Sequence, residues 1–171
     1  MMAVDIEAGM GRETNMDEIA AGGLEDLSPS EMREKVAALE AEVRKLPQVD
    51  CPVHHHFAPG VYARQMTIPA GVVATGAVHK TEHLTIISKG RLRITTDDGM
   101  REFSAPAIFK SMPGTKRAAY AIEEAVLTTI HATDTTNLDD LVEELTESTS
   151  RQLLGGSENL QLLNERKELT K

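Results

Sequence analysis

Residues 61–99 have the sequence VYARQMTIPAGVVATGAVHKTEHLTIISKGRLRITTDDG, and this stretch decides the fold. Runs of apolar and β-branched residues alternate in it with short segments rich in Pro, Gly and Asp. Several short strands separated by such turn signals are typical of a β-sandwich or barrel. We therefore predict strands over 61–68, 72–88 and 91–96, with turns at 69–71, Gly90 and 97–100.

The strand pattern continues on the C-terminal side of this stretch, and the flanking regions differ from it. Further strands are predicted over 101–104, 107–111, 116–122 and 125–133, so residues 51–133 form one barrel domain. All five aromatic residues lie inside this domain, as expected for the part with a compact core. The predicted flanks are a mobile acidic tail (1–27), an amphipathic helix (28–46) and a C-terminal helical extension (137–171), with a last short helix over 157–169.

The predicted helix over 28–46 has a clear beginning and a regular apolar seam. Ser28-Pro29-Ser30-Glu31 is a capping box that starts the helix, and Leu27 is placed to contact Met32. The seam has the 4-3-4-3 spacing of a heptad pattern and consists of Met32, Val36, Leu39, Val43 and Leu46. Such a helix packs either on its own barrel or against a sister subunit. Because all five seam positions match the heptad pattern, packing against a sister subunit is favoured, and hence a homodimer or higher homo-oligomer.

The charge distribution narrows the classes of partner. The net charge of the chain is −9, but residues 51–133 carry 9 basic and 6 acidic side chains between two acidic flanks. This balance argues against nucleic-acid or membrane-surface binding and leaves a small anionic ligand open. The chain begins without a signal-peptide pattern and has no apolar run long enough to cross a bilayer, so we expect a cytoplasmic protein. Its single cysteine, Cys51, excludes an intramolecular disulfide.

His79 and His83 are the most informative candidates for a functional site. In a strand over 72–88 they would be two alternations apart, and their side chains would point to the same face. Two imidazoles that face a barrel interior suit a metal ion or a small anionic ligand. The alternative is that they are ordinary core residues, hydrogen-bonded to neighbours such as Thr81, Thr128 or Thr129.

The central segment resembles the cupin superfamily of small jelly-roll barrels. Gly71, His79 and Gly90 fall in the register of the first cupin motif, with Ala77 and His83 at two positions where the motif has a histidine and a glutamate. Pro113-Gly114-Thr115-Lys116-Arg117 is similar to the second motif, with Arg117 at its histidine position and Ala121 at its asparagine position. The segment also looks like small cupin-domain proteins encoded by bacteriophages, which would place the protein in the host cytoplasm. The resemblance implies a mainly β, cupin-type jelly-roll barrel.

A metal site needs at least one ligand beyond His79 and His83. The third is predicted to be His131 or one of His54, His55 and His56. Imidazoles suit zinc, iron, nickel or copper, and the resemblance to cupins extends the list of divalent ions to manganese. His54–His56 are equally well explained as an exposed segment that binds nothing.

A small anion is the other candidate for the interior. Arg117 opposes a divalent cation there and favours a carboxylate or phosphate, unless it pairs with Glu123 or Glu124 across a turn. Tyr120 is predicted to line the same pocket. Glu82 is out of phase with the histidines and would join the site only if a bulge turned it inward.

Three functions are compatible with these residues. The first is a cupin-fold binding protein that holds a metal ion or small anion in the barrel interior. The second is a metal-dependent cupin enzyme of the dioxygenase or isomerase type, in which Arg117 would bind a substrate carboxylate. The third is a structural or interaction protein, from a phage in one version, that assembles through its helices. The sequence leaves open whether any reaction is catalysed.

Overall fold

The computed structural model describes residues 2–5, 27–154, 156–158, 160–161 and 163–164. The two α-helices within these ranges are α1 (Pro29–Val43) and α2 (Leu138–Leu145), and a 3-10 turn covers Ser150–Gln152. The strands are β1 (Ala3–Asp5), β2 (Val53–Ala58), β3 (Val61–Ile68), β4 (Val72–Thr75), β5 (His83–Lys89), β6 (Arg91–Thr96), β7 (Gly99–Ser104), β8 (Ala107–Ser111), β9 (Ala118–Ala121) and β10 (Ala125–Ala132).

The strands form two antiparallel five-stranded sheets. Sheet I has the order β1-β4-β9-β6-β7, and sheet II has the order β2-β3-β10-β5-β8. Without the outer strands β1 and β2, the eight strands β3–β10 pair in the orders 4-9-6-7 and 3-10-5-8. Apart from the β6–β7 hairpin within sheet I, successive strands alternate between the two sheets, which is the arrangement of jelly rolls, cupins among them. The predicted mainly β, cupin-type jelly roll is therefore confirmed as the fold.

The main core lies between the two sheets. Ile68 and Ile87 of sheet II pack with Leu92, Ile94 and Ala121 of sheet I, and all five are fully buried. Strand β3 alternates buried and partly exposed residues along its length, as a strand with one face on a core must. The inward phase of β3, β5 and β10 therefore determines which side chains enter the interior.

Gly90 makes the tight crossing from β5 in sheet II to β6 in sheet I. Its φ of +78° lies in the left-handed region that other residues rarely adopt. A Cβ atom at this position would lie 2.1 Å from the carbonyl oxygen of Glu124. The turn predicted at this glycine is thus confirmed, and no larger residue fits there.

The predicted single strand over 72–88 is wrong. The chain leaves sheet I after Thr75 and enters sheet II only at His83, because β4 and β5 belong to different sheets. The connecting segment crosses between the sheets and is held by backbone hydrogen bonds from Gly76 to Arg117 (2.8 Å) and from Gly114 to His79 (2.8 Å). His79 therefore lies in a crossing segment, where its backbone makes an isolated bridge with Thr146.

Helix α1 begins as predicted and packs differently from the favoured prediction. The capping box of Ser28 and Glu31 is present. The helix ends at Val43, three residues before the predicted end, and a turn follows it. The seam residues Met32 and Val36 pack against Ala118 of β9. The seam is therefore buried on the chain's own sheet, because the outer face of sheet I offers an apolar surface, and it leaves no heptad face for a sister subunit.

The termini differ in part from the predicted arms. Ala3–Asp5 form strand β1, which pairs with β4, so the expected mobile tail over 1–27 is wrong for this short segment. Residues 6–26 lie outside the described residues. The helix predicted to begin near Asn137 is confirmed as α2, with Asn137 as its N-cap. Of the last predicted helix, residues 157–158, 160–161 and 163–164 are helical, and the others lie outside the described part of the chain.

Candidate functional site

Three histidines meet in the interior at one end of the jelly roll. His83 is the first residue of β5, His131 lies near the end of β10, and His79 comes from the crossing segment. The ring centroids of His79 and His83 are 4.1 Å apart, and those of His83 and His131 are 4.6 Å apart. One nitrogen from each ring lies within 4.8 Å of the others. The structure thus brings together the three predicted metal ligands, although His79 does not reach the site through strand alternation.

Burial keeps these imidazoles neutral. Desolvation, followed by the nearby positive charges, lowers the pKa of His79 to about 2 and that of His131 to about 4. The pKa of His83 is also lowered, mainly by burial. A neutral imidazole offers one lone pair, which is the form that binds a metal ion.

The hydrogen-bond pattern leaves ring nitrogens available. His83 Nδ1 lies 3.4 Å from the backbone carbonyl oxygen of Thr81, so it donates and Nε2 keeps the lone pair. The Nδ1 atoms of His79 and His131 are buried and have no hydrogen-bond partner among the described residues. Buried polar atoms normally have partners. These two unsatisfied nitrogens are therefore the observation that fits a bound ligand best.

Arg117 lies beside the histidines and is anchored by protein groups. Its Nε donates to Ser111 Oγ (3.2 Å), and its Nη1 donates to the carbonyl oxygen of Thr95 (2.7 Å). The guanidinium carbon also lies 5.6 Å from the centre of the Phe109 ring, within the range of a cation–π contact. The alternative pairing with Glu123 or Glu124 is wrong, because those carboxylates pair with Arg91 and Lys89.

Two adjoining cavities of about 100 and 60 Å³ contain this cluster. They share five residues, namely Ala77, His79, Arg117, Leu127 and Thr129. The larger cavity is closed on one side by Leu141, Val142 and Leu145 of α2. Helix α2 therefore lies across the end of the interior that holds the histidines.

Arg64 is a functional candidate that the sequence reasoning missed. It lies on β3 opposite Thr129 and lines the larger cavity, where its side chain is 9% exposed. Its Nε has no hydrogen-bond partner among the described residues, and its Nη2 makes one long contact, 3.5 Å, with the carbonyl oxygen of Leu154. The signal was available in the sequence. Arg64 shares the alternation phase of Tyr62, Met66 and Ile68, so a charge stands where an apolar residue is expected.

Two predicted ligand-binding residues lie elsewhere. Tyr120 packs on the outer face of sheet I, beside Val43 and Leu39 of α1, because its neighbours Ala119 and Ala121 take the inward phase of β9. Glu82 is exposed and pairs with Lys110 on the surface at 3.1 Å. No bulge turns Glu82 inward, since β5 begins only at the next residue. Neither residue lines the cavities that contain the histidines.

His54, His55 and His56 belong to β2, an outer strand of sheet II that the sequence reasoning did not predict. All three are exposed. His55 Nδ1 is hydrogen-bonded to the Tyr62 hydroxyl at 2.7 Å, and His56 Nε2 lies 3.1 Å from Gln65 Oε1. The third histidine of the cluster is therefore His131, and these three make a separate surface group.

Comparisons with known proteins give matches among solved structures. No family model matches the chain, and no curated protein matches it. The cupin domain of an XRE family transcriptional regulator from Enterobacter cloacae covers 50% of this chain and 99% of its own, with 12% identity and a TM-score of 0.43. A cupin superfamily protein from Desulfitobacterium hafniense covers 50% and 82%, with 14% identity and a TM-score of 0.42. The cupin domain of Schizosaccharomyces pombe Cnp3 covers 50% and 71%, with 20% identity and a TM-score of 0.43.

These likenesses concern the fold alone. The jelly-roll fold of this chain rests on its own strand order, and the activities of the matched proteins are not transferred to it. None of the described helices is long and apolar enough to span a membrane. The cytoplasmic location and the likeness to phage-encoded proteins stay predictions.

Proposed function

We propose that the protein binds one divalent metal ion in the interior of its jelly roll through His79, His83 and His131. The observation that carries this proposal is a cluster of three neutral imidazoles, two of which have a buried nitrogen with no partner among the residues that the structure describes. Zinc, iron, nickel and manganese are the candidate ions, and the all-nitrogen ligand set favours the first three. An ion bound there would supply a positive centre that polarises an oxygen atom of a neighbouring ligand.

The chain's own residues support a built site. Arg117 is held in place by Ser111 and Thr95 and does not compete for the histidine nitrogens. The Thr81 carbonyl orients the His83 ring, as outer partners do for metal-binding histidines. Helix α2 covers the cavity and limits its contact with water. These contacts orient the ligands before an ion arrives.

The test is metal titration of the full-length protein after treatment with a chelator. Zn²⁺, Fe²⁺, Ni²⁺ and Mn²⁺ are added separately, and the bound metal is measured by elemental analysis after desalting. The wild type is expected to retain about one equivalent of the preferred ion. His79→Ala, His83→Ala and His131→Ala are each expected to lower the affinity by about tenfold to a hundredfold or more.

The matched controls are His54→Ala and His56→Ala, which remove imidazoles from the exposed strand β2. They should retain the metal content of the wild type. Retention of metal by all three interior variants would place the ion elsewhere. Less than a tenth of an equivalent in the wild type for every ion would refute the proposal.

A metal-dependent enzyme is the second candidate. The observation that favours it is that the cluster contains three histidines and no fourth described ligand, and three protein ligands are typical of catalytic metal sites with a free position. In this version Arg64 or Arg117 would bind and orient a substrate anion. Turnover that is unchanged in the metal-free protein would exclude it.

Assembly through α1 has lost its support, because the helix seam is buried on the chain's own sheet. The homodimer or higher oligomer stays a prediction. Native mass spectrometry of the full chain measures the number of subunits and the bound metal in one spectrum. A purely monomeric spectrum at micromolar concentration would contradict the predicted oligomer.

A further inference from the structure

We propose that Arg64 is the anchor of an anion-binding subsite for a small carboxylate beside the histidine cluster. The proposal deepens the proposed function and rests on it for the location of the site, although the carboxylate itself requires no metal. It assigns a ligand class to the larger cavity and a role to a residue that no sequence motif marks. The argument starts from the surroundings of the guanidinium.

Arg64 carries a buried charge with very little compensation. Its side chain makes one long hydrogen bond, to a backbone carbonyl, and it forms no ion pair with a described carboxylate. The ionisable groups that act favourably on it are Tyr62 and Cys51. Burial raises the pKa of the Cys51 thiol to about 12, so it stays neutral, and burial also raises the pKa of Tyr62. An isolated charge in such surroundings is strongly unfavourable.

The same cavity contains a second guanidinium and no carboxylate. Arg64 and Arg117 both line it, together with His79 and His131, and no Asp or Glu is among its described lining residues. The cavity therefore contains two positive charges, and its described lining residues supply no negative charge to balance them. A bound anion would supply it, because a guanidinium forms two parallel hydrogen bonds with a carboxylate.

The walls indicate which kind of anion fits. Apart from the arginines and imidazoles, the cavity is lined mainly by apolar side chains such as Met66, Leu127, Leu141 and Leu145. The Thr129 hydroxyl, opposite Arg64, makes no hydrogen bond with the described groups and is available to a ligand. A short carboxylic acid with an apolar body matches this lining. A phosphate dianion has polar oxygen atoms on every side, so part of it would face the apolar walls without a hydrogen-bond partner.

The volume sets the size of the ligand. An apolar cavity of about 150 Å³ holds one benzene molecule, with six non-hydrogen atoms, so the cavity of about 100 Å³ has room for a ligand of about four or five. Propionate, with five non-hydrogen atoms, matches this space, and butyrate, with six, is at its upper limit. The adjoining cavity of about 60 Å³, which His79 and His83 line, leaves room for an ion. A metal ion would add to the positive charge, so metal and carboxylate should bind cooperatively, each raising the affinity of the other.

The experiment is isothermal titration calorimetry with the metal-free, full-length protein. Sodium propionate and sodium butyrate are titrated at constant ionic strength, with sodium chloride and inorganic phosphate as comparison anions. The wild type should bind the two carboxylates and bind chloride and phosphate less well. Arg64→Met should weaken carboxylate binding about tenfold or more, because it removes a charge-assisted hydrogen-bond donor pair. Loading with Zn²⁺ should raise the carboxylate affinity of the wild type.

The matched control is Arg101→Met, which removes an arginine from the exposed side of β7. It should bind carboxylate as the wild type does. Thermal unfolding separates a ligand-binding role from a structural one. Arg64→Met should unfold at the same or a higher temperature in the absence of ligand, because an apolar residue replaces an uncompensated buried charge. A large decrease would show that Arg64 stabilises the fold and overturn the proposal. Arg64→Lys keeps the charge without the planar fork and should bind less tightly than the wild type.

The failures are distinguishable. Equal carboxylate affinities in the wild type and Arg64→Met would overturn the anion subsite, and so would the absence of any binding at millimolar carboxylate. Tighter binding of phosphate would overturn the ligand class. A failure of the metal proposal would be seen separately, because the wild type would then not retain Zn²⁺. Carboxylate binding is measured on the metal-free protein and does not depend on that result.

Discussion

Along strands β3, β5 and β10 the inward-facing side chains change from apolar to polar at the same level in the interior. The apolar half contains Met66, Leu127 and Ile87, which are adjacent across the three strands. One layer further, Arg64 lies opposite Thr129, and Thr129 lies opposite Thr85. The layer beyond contains Tyr62, His131 and His83. The same strands thus support a core in one half and a site in the other.

The difference between the halves is one of satisfied and unsatisfied groups. The apolar half follows the ordinary rule for interiors and stabilises the fold by removing apolar surface from water. The polar half places two arginines and three histidines where such residues are rare, and it leaves Arg64, His79 and His131 with buried atoms that have no partner within the described part of the chain. Sites of this kind are where function overrides local rules.

The largest loss of stability is expected from a substitution that places a polar group in the apolar half. Ile87→Thr places a hydroxyl next to Leu127 and Met66, where no described group is available to accept its hydrogen bond. The lost Cδ1 methyl group and the unsatisfied hydroxyl in place of the Cγ1 methylene should together lower the free energy of unfolding by about 3 kcal/mol. Urea unfolding followed by circular dichroism measures this change. A loss below about 1 kcal/mol would show that the two halves are not distinct.

The second-largest change in stability is expected when the histidines of the polar half are protonated at low pH. His79 and His131 have folded-state pKa values of about 2 and about 4, below the value of about 6.5 expected in the unfolded chain. Between these limits the unfolded chain binds more protons, so stability is fully present above pH 6.5 and is lost as the pH falls. Each histidine should contribute at most about 1.4 kcal/mol per pH unit, and both together should contribute about 2.4 kcal/mol between pH 6 and pH 5.

The pH series is measured on metal-free protein by urea unfolding, so that metal release does not contribute. The double variant His79→Asn, His131→Asn should have a much smaller slope, whereas the surface variant His54→Ala, His56→Ala should keep the wild-type slope. A wild-type slope that the interior double variant leaves unchanged would mean that other groups cause the acid sensitivity.

The smallest change in stability is expected from a substitution that places an apolar group in the polar half. Thr85 lies on the inward side of β5, two residues before Ile87, and its hydroxyl makes one long contact with Ser111 Oγ (3.4 Å). Thr85→Val keeps the shape and removes this weak bond, so the free energy of unfolding should change by about 1 kcal/mol or less. The same urea measurement checks it. A larger loss would show that the Ser111 hydroxyl, which also accepts from Arg117, depends on Thr85 for its orientation.

The sequence was sufficient for most of the strand elements and for the three histidines, with His131 as one of the alternatives for the third. Alternation and turn residues predicted β3 and β8 with their observed bounds and located the glycine turn at Gly90. The site was found for a partly wrong reason. His79 and His83 were assigned to one strand, because alternation within a strand is local, whereas the crossing between two sheets depends on long-range pairing.

The remaining errors have the same physical origin. Strand β2 was missed because its residues are mostly exposed and it has no buried alternation to reveal it. Tyr120 was predicted to line the pocket because alternation alone does not show which side chains of β9 face the interior. Helix α1 covers the face of sheet I on which Tyr120 lies, and the sequence does not reveal this packing. Arg64 was passed over because a single charge in an apolar phase is easily attributed to a surface strand. Its burial becomes visible only when both sheets are in place.

Helix α2 limits how fast a ligand can enter or leave the interior past it. Leu141, Val142 and Leu145 form a wall of the larger cavity, and these side chains pack against Tyr62 and Ala77. A ligand that enters or leaves past this wall has to wait until the helix separates from those two residues. Its residence time can then be no shorter than the mean time between openings of α2, however weakly the ligand is bound.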